Sequence, residues 1–420
     1  MKRLLIIFAL TIIAFGCIAC SSGPGGDVHW NSGNNPYRPL DMPADSKAAT
    51  YVREGNSFAI NFIDQVNAVT DKDFITSPLS MQFLLGMLLN GAQGQTADEI
   101  CKVLGYGADE VAAVNDFCLQ LLRQLPDLDR QITLEIANAI VVNQKWPLLE
   151  NYKATVGKFY EAEVENMDFS DRAGTVKKIN DWCSDHTNGL IPEIINDVDE
   201  DKLAILMNAM YFKSQWAESL KFDKAQTKNE PFKLEDGTKK SVPMMKNHSE
   251  LPCQGTDVFT AVRLPYGNGA YNMVVVLPDE GFTLEDVLES LKEETWSDFY
   301  LNMVRCDVDL WLPKFETKFS INLNDILSTM GMPSAFDKNT ADFKAMSDHA
   351  LFLSLVKQDA VIKVDEEGTE AAAVSRGDMM DSAILKPGKN VVFHADRPFF
   401  YIITENSTGA IIFAGKFCGK

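Results

Sequence analysis

Apolar residues recur at helical spacing from Tyr51 to Asn67, with Phe58, Phe62, Ile63 and Val66 on one face. That period predicts an amphipathic helix. The run "SPLSMQFLLGMLLNGAQGQTADEICKVLG" predicts two more. Ser77 caps the first, with Pro78 at its first helical position. A Gly-rich break follows, and Thr96 with Glu99 three residues on forms a capping box for the second. Strand patterns dominate later. "LEIANAIVV" and "LAILMNAMYFK" are apolar and partly β-branched, "AYNMVVVLPDEG" ends in turn residues, and "VDLWLPKFETKFSINL" alternates. "RPFFYIITENSTGAIIFAGKF" predicts a hairpin turning at Asn406–Gly409. Helices gather early and strands late, without βαβ alternation, so the expected class is α+β with mainly antiparallel sheets. No linker interrupts residues 51–420, which are expected to form one domain.

The N-terminal stretch "MKRLLIIFALTIIAFGCIACSSG" places Lys2 and Arg3 before an apolar run and small residues after it. It has the pattern of an export signal, expected to span residues 1–19. A cysteine directly after the apolar run resembles a bacterial lipoprotein cleavage site. Cys20 is the expected lipidated residue, Cys17 the alternative, and a plain secretion signal the other reading. Residues 20–50, rich in Gly, Pro, Ser and Asn, are expected to be a flexible tether. These features predict an exported chain, lipid-anchored and surface-exposed on a bacterial envelope membrane, or otherwise secreted.

The chain has 420 residues and a formal net charge of −20. That charge argues against nucleic-acid binding, which needs a basic face. Cys101, Cys118, Cys183, Cys253, Cys306 and Cys418 are widely spaced with no CxxC pair, so zinc is not expected. An exported chain permits disulfides, but one this long does not need them, and buried free thiols are expected for most of these cysteines. The five histidines, His29, His186, His248, His349 and His394, show no metal-ligand spacing. No GxSxG, HExxH, phosphate-loop or dinucleotide motif occurs, and the acidic run at residues 197–201 has the composition of a solvated turn. Neither an enzyme nor a cofactor is expected.

One segment follows neither pattern. Between Val364 and Asn390, "VDEEGTEAAAVSRGDMMDSAILKPGKN" joins two strand-like runs. From Thr369 the odd positions are Thr369, Ala371, Ala373, Ser375, Gly377 and Met379, all uncharged and mostly small. The charges Glu370, Arg376 and Asp378 fall at even positions, beside Ala372, Val374 and Met380. A strand alternates its side chains between two faces, so one face of this segment is narrow and charge-free.

"VDEEGTEAAA" closely resembles the reactive-loop hinge of the serpins, the serine protease inhibitor family. "FITSPLSMQFLLGMLLNGAQGQTADEI", "INDWCSDHTNGLIPEII", "NAMYFKSQW", "LWLPKFE" and "DRPFFYIITENSTGAIIFAGK" resemble further family elements in family order. The resemblance covers nearly everything from Tyr51. It implies helices around a large central mixed β-sheet, with further antiparallel sheets and an exposed reactive loop. It also implies a suicide inhibitor: a protease cleaves the loop, is held as an acyl-enzyme, and the loop inserts into the central sheet. The hinge would comprise Glu367, Gly368, Thr369, Glu370, Ala371, Ala372 and Ala373. Trp216 resembles the breach tryptophan, and Ser77, Ser80 and Asn180 the shutter group. Where the family often has a histidine, ten residues before the hinge glycine, this chain has Gln358. Counting the family interval of fourteen residues from Gly368 puts the reactive bond at Ser382–Ala383. Counting back from Pro398 falls near Pro387. The hinge count is preferred because the sheet fixes the insertable length, with Met380–Asp381 as the alternative. A small residue at 382 suits elastase-like or subtilisin-like serine proteases, and a cysteine protease is a further candidate partner. The inhibitor is expected to be a monomer. The competing expectation is a non-inhibitory serpin-fold binding or chaperone-like protein, which proline or charge at the hinge would favour.

Overall fold

The computed structural model describes residues 35–42, 47–199, 204–293, 295–369 and 389–420. Helices α1 (Ala48–Val69), α2 (Pro78–Gly91), α3 (Gly94–Leu104), α4 (Val111–Gln124), α5 (Glu150–Phe159) and α6 (Arg172–His186) fill the first half. The shorter α7 (Leu284–Glu293), α8 (Trp296–Leu301) and α9 (Asn324–Met330) come later. The strands are β1 (Phe74–Thr76), β2 (Thr133–Asn143), β3 (Glu163–Met167), β4 (Ala204–Gln215), β5 (Lys228–Lys233), β6 (Lys239–Gly255), β7 (Phe259–Tyr266) and β8 (Tyr271–Pro278). They continue with β9 (Val304–Pro313), β10 (Phe315–Asn322), β11 (Lys357–Asp365), β12 (Gly368–Thr369), β13 (Asn390–His394), β14 (Phe399–Glu405) and β15 (Ile411–Phe417).

Two sheets result. A nine-stranded sheet runs β1-β15-β14-β8-β7-β6-β9-β13, with β5 also paired to β6. A six-stranded sheet runs β10-β11-β12-β4-β2-β3. Both are mixed, since β2–β3 and β9–β13 pair in parallel and the other ladders are antiparallel. The alternating run at residues 308–323 is two strands, because Lys314 separates β9 from β10 and sends them into different sheets.

Helix α2 packs between β4 and β15 and so lies between the sheets. Every residue in it except Asn90 is buried, as expected of a helix that is apolar all round. Ser77 caps it by accepting from the Ser80 amide, with Pro78 at the first turn. The other side of the six-stranded sheet is covered by α6, which packs on β2 and β4 over a small separate core of Val141, Phe169, Ile179, Val198 and Met207.

The expected capping box on α3 does not form. Gln93 occupies the cap position and Thr96 lies buried inside the first turn. Thr96 Oγ1 accepts from the Asp342 amide at 3.0 Å, and Glu99 accepts from Ser334 N and Oγ at 2.9 and 2.8 Å. Tertiary partners take both side chains from the local motif. Of the expected tether, residues 35–42 lie against the domain: Leu40 is buried, and its amide donates to Ser407 Oγ. Cys101, Cys118, Cys183 and Cys418 are buried free thiols, and Cys253–Cys306 is a disulfide joining β6 to β9. Burial pushes the Cys118, Cys183 and Cys418 thiols up to about 12, so they are protonated and unreactive at neutral pH.

Candidate functional site

Strand β11 ends at Asp365, the chain turns at Glu366–Glu367, and Gly368–Thr369 return as β12 between β11 and β4. The return needs glycine. Gly368 has φ +151°, and an added Cβ would meet the Ser214 carbonyl oxygen and stand 2.7 Å from Gln215 Cα. Only a residue without a side chain tolerates both constraints. Thr369, next along, is 2% exposed and shares a 2.5 Å hydrogen bond with the Tyr266 hydroxyl. Tyr266 stacks on Trp216 at 4.6 Å and 6°. Trp216 in turn holds the turn by its backbone, its amide donating to Glu367 O at 2.9 Å and its indole N–H to Asp365 O at 2.8 Å.

The turn acids are paired. Glu367 meets Lys224 at 2.7 Å, and Glu366 accepts from Lys314 Nζ at 2.8 Å and Thr227 Oγ1 at 2.9 Å. Burial raises the Glu366 carboxyl, but these hydrogen bonds outweigh it and hold it below its usual value. Its anchoring is therefore present above the unfolded carboxyl pKa of about 4.3. It is lost as pH falls through the lowered folded value.

Strands β4 and β11 are each antiparallel to β12, so they run parallel to one another, and among the described residues only β12 joins them. Beneath Thr369 a slot of about 20 Å³ lies between Met210 and Phe212 of β4 and Ile362 of β11. That is room for about one water. The segment after α6 crosses this slot. Leu190 and Ile191 line it, Asn188 Nδ2 donates to Tyr211 Oη on β4 at 3.3 Å, and Lys357 of β11 donates to Ile194 O at 2.7 Å.

The expected shutter residues separate. Ser77 and Ser80 meet at the N-terminus of α2, where Ser77 Oγ donates to Ile412 O at 2.8 Å. Gln358 joins them: its Oε1 accepts from Ser77 N at 3.1 Å and its Nε2 donates to Ser77 O at 3.0 Å. A neutral amide thus satisfies a buried backbone donor and acceptor together. Asn180 is not part of this group. It sits on α6 and holds the crossing segment, accepting from Ile194 N and Ile195 N at 2.9 and 3.1 Å and donating to Ile195 O at 2.8 Å. Asn208 of β4 takes the place beside Ser80, accepting from its hydroxyl and donating to Asn138 at 2.7 Å. The signal for Asn208 was present: a lone asparagine on the core-facing parity of an apolar strand needs buried partners. Tyr266 and Lys314 were also missed, because their partners lie far away in sequence.

Glu370, Ala371, Ala372, Ala373, Met380, Asp381, Ser382, Ala383, Cys17 and Cys20 lie outside the described residues. Among the described residues no His, Cys, Asp and Glu cluster fits a metal ion, and no helix is long and apolar enough to cross a membrane.

Residues 53–419 match the family model "Serpin (serine protease inhibitor)". The chain is 32% identical to Serpin B6 of Pongo abelii over 370 residues, covering 86% of this chain and 97% of that one. It is 33% identical to a leukocyte elastase inhibitor of Xenopus laevis over 351 residues, covering 81% and 91%. Among solved structures, the thermophilic serpin tengpin in its native state superposes with a TM-score of 0.80 at 27% identity, covering 91% of this chain and 97% of that one. The chain belongs to the serpin family.

Proposed function

We propose that this chain is a suicide-substrate inhibitor of serine proteases with a reactive bond at Ser382–Ala383. One observation carries the reading: among the described residues, β4 and β11 are joined through Gly368–Thr369, the first residues of the segment whose odd face is small and uncharged. The protease serine Oγ attacks the Ser382 carbonyl carbon, the peptide bond to Ala383 breaks, and the new amine leaves with the proton delivered by the protease's general acid. The protease is then esterified to Ser382. Residues from Glu370 onward follow Thr369 between β4 and β11, carrying the acylated protease along the sheet and distorting it before water cleaves the ester.

Serine at 382 favours shallow pockets, so elastase-like and subtilisin-like proteases are the expected targets. Trypsin cleaving after Arg376 would leave too short a segment for full insertion. Incubating the full chain with a protease panel should give a complex stable to denaturing electrophoresis with elastase or subtilisin, and only cleavage with trypsin. The released C-terminal fragment should begin at Ala383 by mass spectrometry. One beginning at Asp381 moves the bond to Met380, and one beginning at Gly377 from a stable trypsin complex would contradict the assignment.

The same reading places the inhibitor on a bacterial envelope membrane through a lipid on Cys20, with residues up to the domain as a spacer. Metabolic labelling with a fatty-acid analogue should mark the parent chain and not Cys20→Ser. Label retained in Cys20→Ser and lost in Cys17→Ser would move the anchor to Cys17.

A further inference from the structure

A cavity of about 510 Å³ opens at the base of the six-stranded sheet, away from the hinge. Its walls include Leu88, Trp146, Phe343 and Met346, with Ala204 at the start of β4 and Ser354 just before β11. Its volume lies within the range of small-molecule pockets, about 300–1,000 Å³. It lies on the core side, as Leu88 belongs to α2.

The pairing register says what reaches it. Thr369 opposes Ser214 on β4 and Val364 on β11. Antiparallel pairing advances one strand as the other recedes. Ten residues further on, Met379 falls opposite Ala204 on one side and Ser354 on the other, and both line this cavity. Parity agrees, because Thr369 points into the core and every second residue follows it. Between Thr369 and the proposed bond at Ser382, Met379 is the one large apolar residue at an odd position. Its neighbour on the same face, Asp381, falls opposite Phe352 at the mouth of the cavity, a wall residue that is 47% exposed, so the inward run ends where the cavity opens to solvent.

We propose that this basal cavity is the receptor for the Met379 side chain of the inserted loop. Methionine suits an irregular apolar gap walled by aromatic rings, because it is flexible and its sulfur packs well against ring edges. The contact forms only when insertion runs to completion, so it rewards the last step of strand addition and not the first. This rests on the inhibitory reading above, and deepens it by naming what the far end of the loop binds.

The test uses the full chain, cut with subtilisin at a single bond beyond Met380 confirmed by mass spectrometry, and reads the rise in thermal midpoint on cleavage. Met379→Asp should lose more than half of the parent's rise and increase the number of inhibitor molecules consumed per trapped protease several-fold. Met379→Leu should retain both, and Asp378→Lys, altering the outward neighbour, should match the parent. Ala204→Phe, which fills the cavity from β4 and leaves the loop sequence unchanged, should reproduce the loss. If Met379→Asp and Asp378→Lys behave alike, or Ala204→Phe keeps the full rise, the cavity is not the receptor. A parent chain that shows no rise at all instead overturns the insertion reading itself, which separates the two failures.

Discussion

On the proposed insertion mechanism, replacing Thr369 with arginine should give a chain whose loop is still cut by protease but which forms no stable complex. Thr369 is 2% exposed and hydrogen-bonded to Tyr266, whose other face is covered by Trp216. An arginine there either buries an unpaired charge, at a cost of several kcal/mol, or withdraws β12 from the sheet. In both cases the insertion barrier rises, while the proposed reactive bond at Ser382, thirteen residues away, is left unchanged. Insertion competes with hydrolysis of the ester. A barrier increase of about 3 kcal/mol slows insertion about 100-fold, enough for hydrolysis to win. Kinetic analysis against elastase or subtilisin should find cleavage retained and the trapped fraction lost. Thr369→Ser, small and still hydroxylated, should trap as the parent does. An arginine variant that traps protease normally would show that insertion does not pass through this position.

The return of the chain at Gly368–Thr369 was legible in the sequence because its constraints are local. A strand that slides between two others must be small on one face and must begin with a residue able to lie against backbone. Gly368, Thr369 and the alternating residues after them carry that pattern in a single run. The helix start at Ser77–Pro78 was legible for the same reason. What could not be read locally was partner choice. Thr96 and Glu99 have the right spacing for a capping box, yet they bond to Asp342 and Ser334 more than two hundred residues away. Asn180 and Asn208 are both asparagines near the sheet, and which one meets Ser80 depends on how α6 lies across β4. The Cys253–Cys306 disulfide depends on the register between β6 and β9. The hinge parity is the pattern an inserting strand needs. That Gly368 and Thr369 already stand between β4 and β11 is a property of the assembled sheet.

The second large effect concerns stability. Among the described residues, β4 and β11 are linked by two residues, Gly368–Thr369, and the proposed mechanism extends that link into a full strand. Insertion from Glu370 to Met379 adds about ten residues and on the order of ten hydrogen bonds, each worth about 0.5–1.5 kcal/mol net. The total approaches the whole stability of an ordinary domain, about 5–15 kcal/mol. Against it stand the crossing segment held by Asn180, Asn188 and Lys357 and the hydrogen-bonded group of Ser77, Ser80, Asn208 and Gln358. These must rearrange once, which sets a rate, whereas the added ladder sets the final stability. Cleavage within the loop should therefore raise the unfolding midpoint by on the order of 10 °C. The direct measurement is thermal unfolding of the full chain before and after a single cut at Ser382–Ala383. A large rise is the result predicted by strand insertion, and an unchanged or lower midpoint would contradict it.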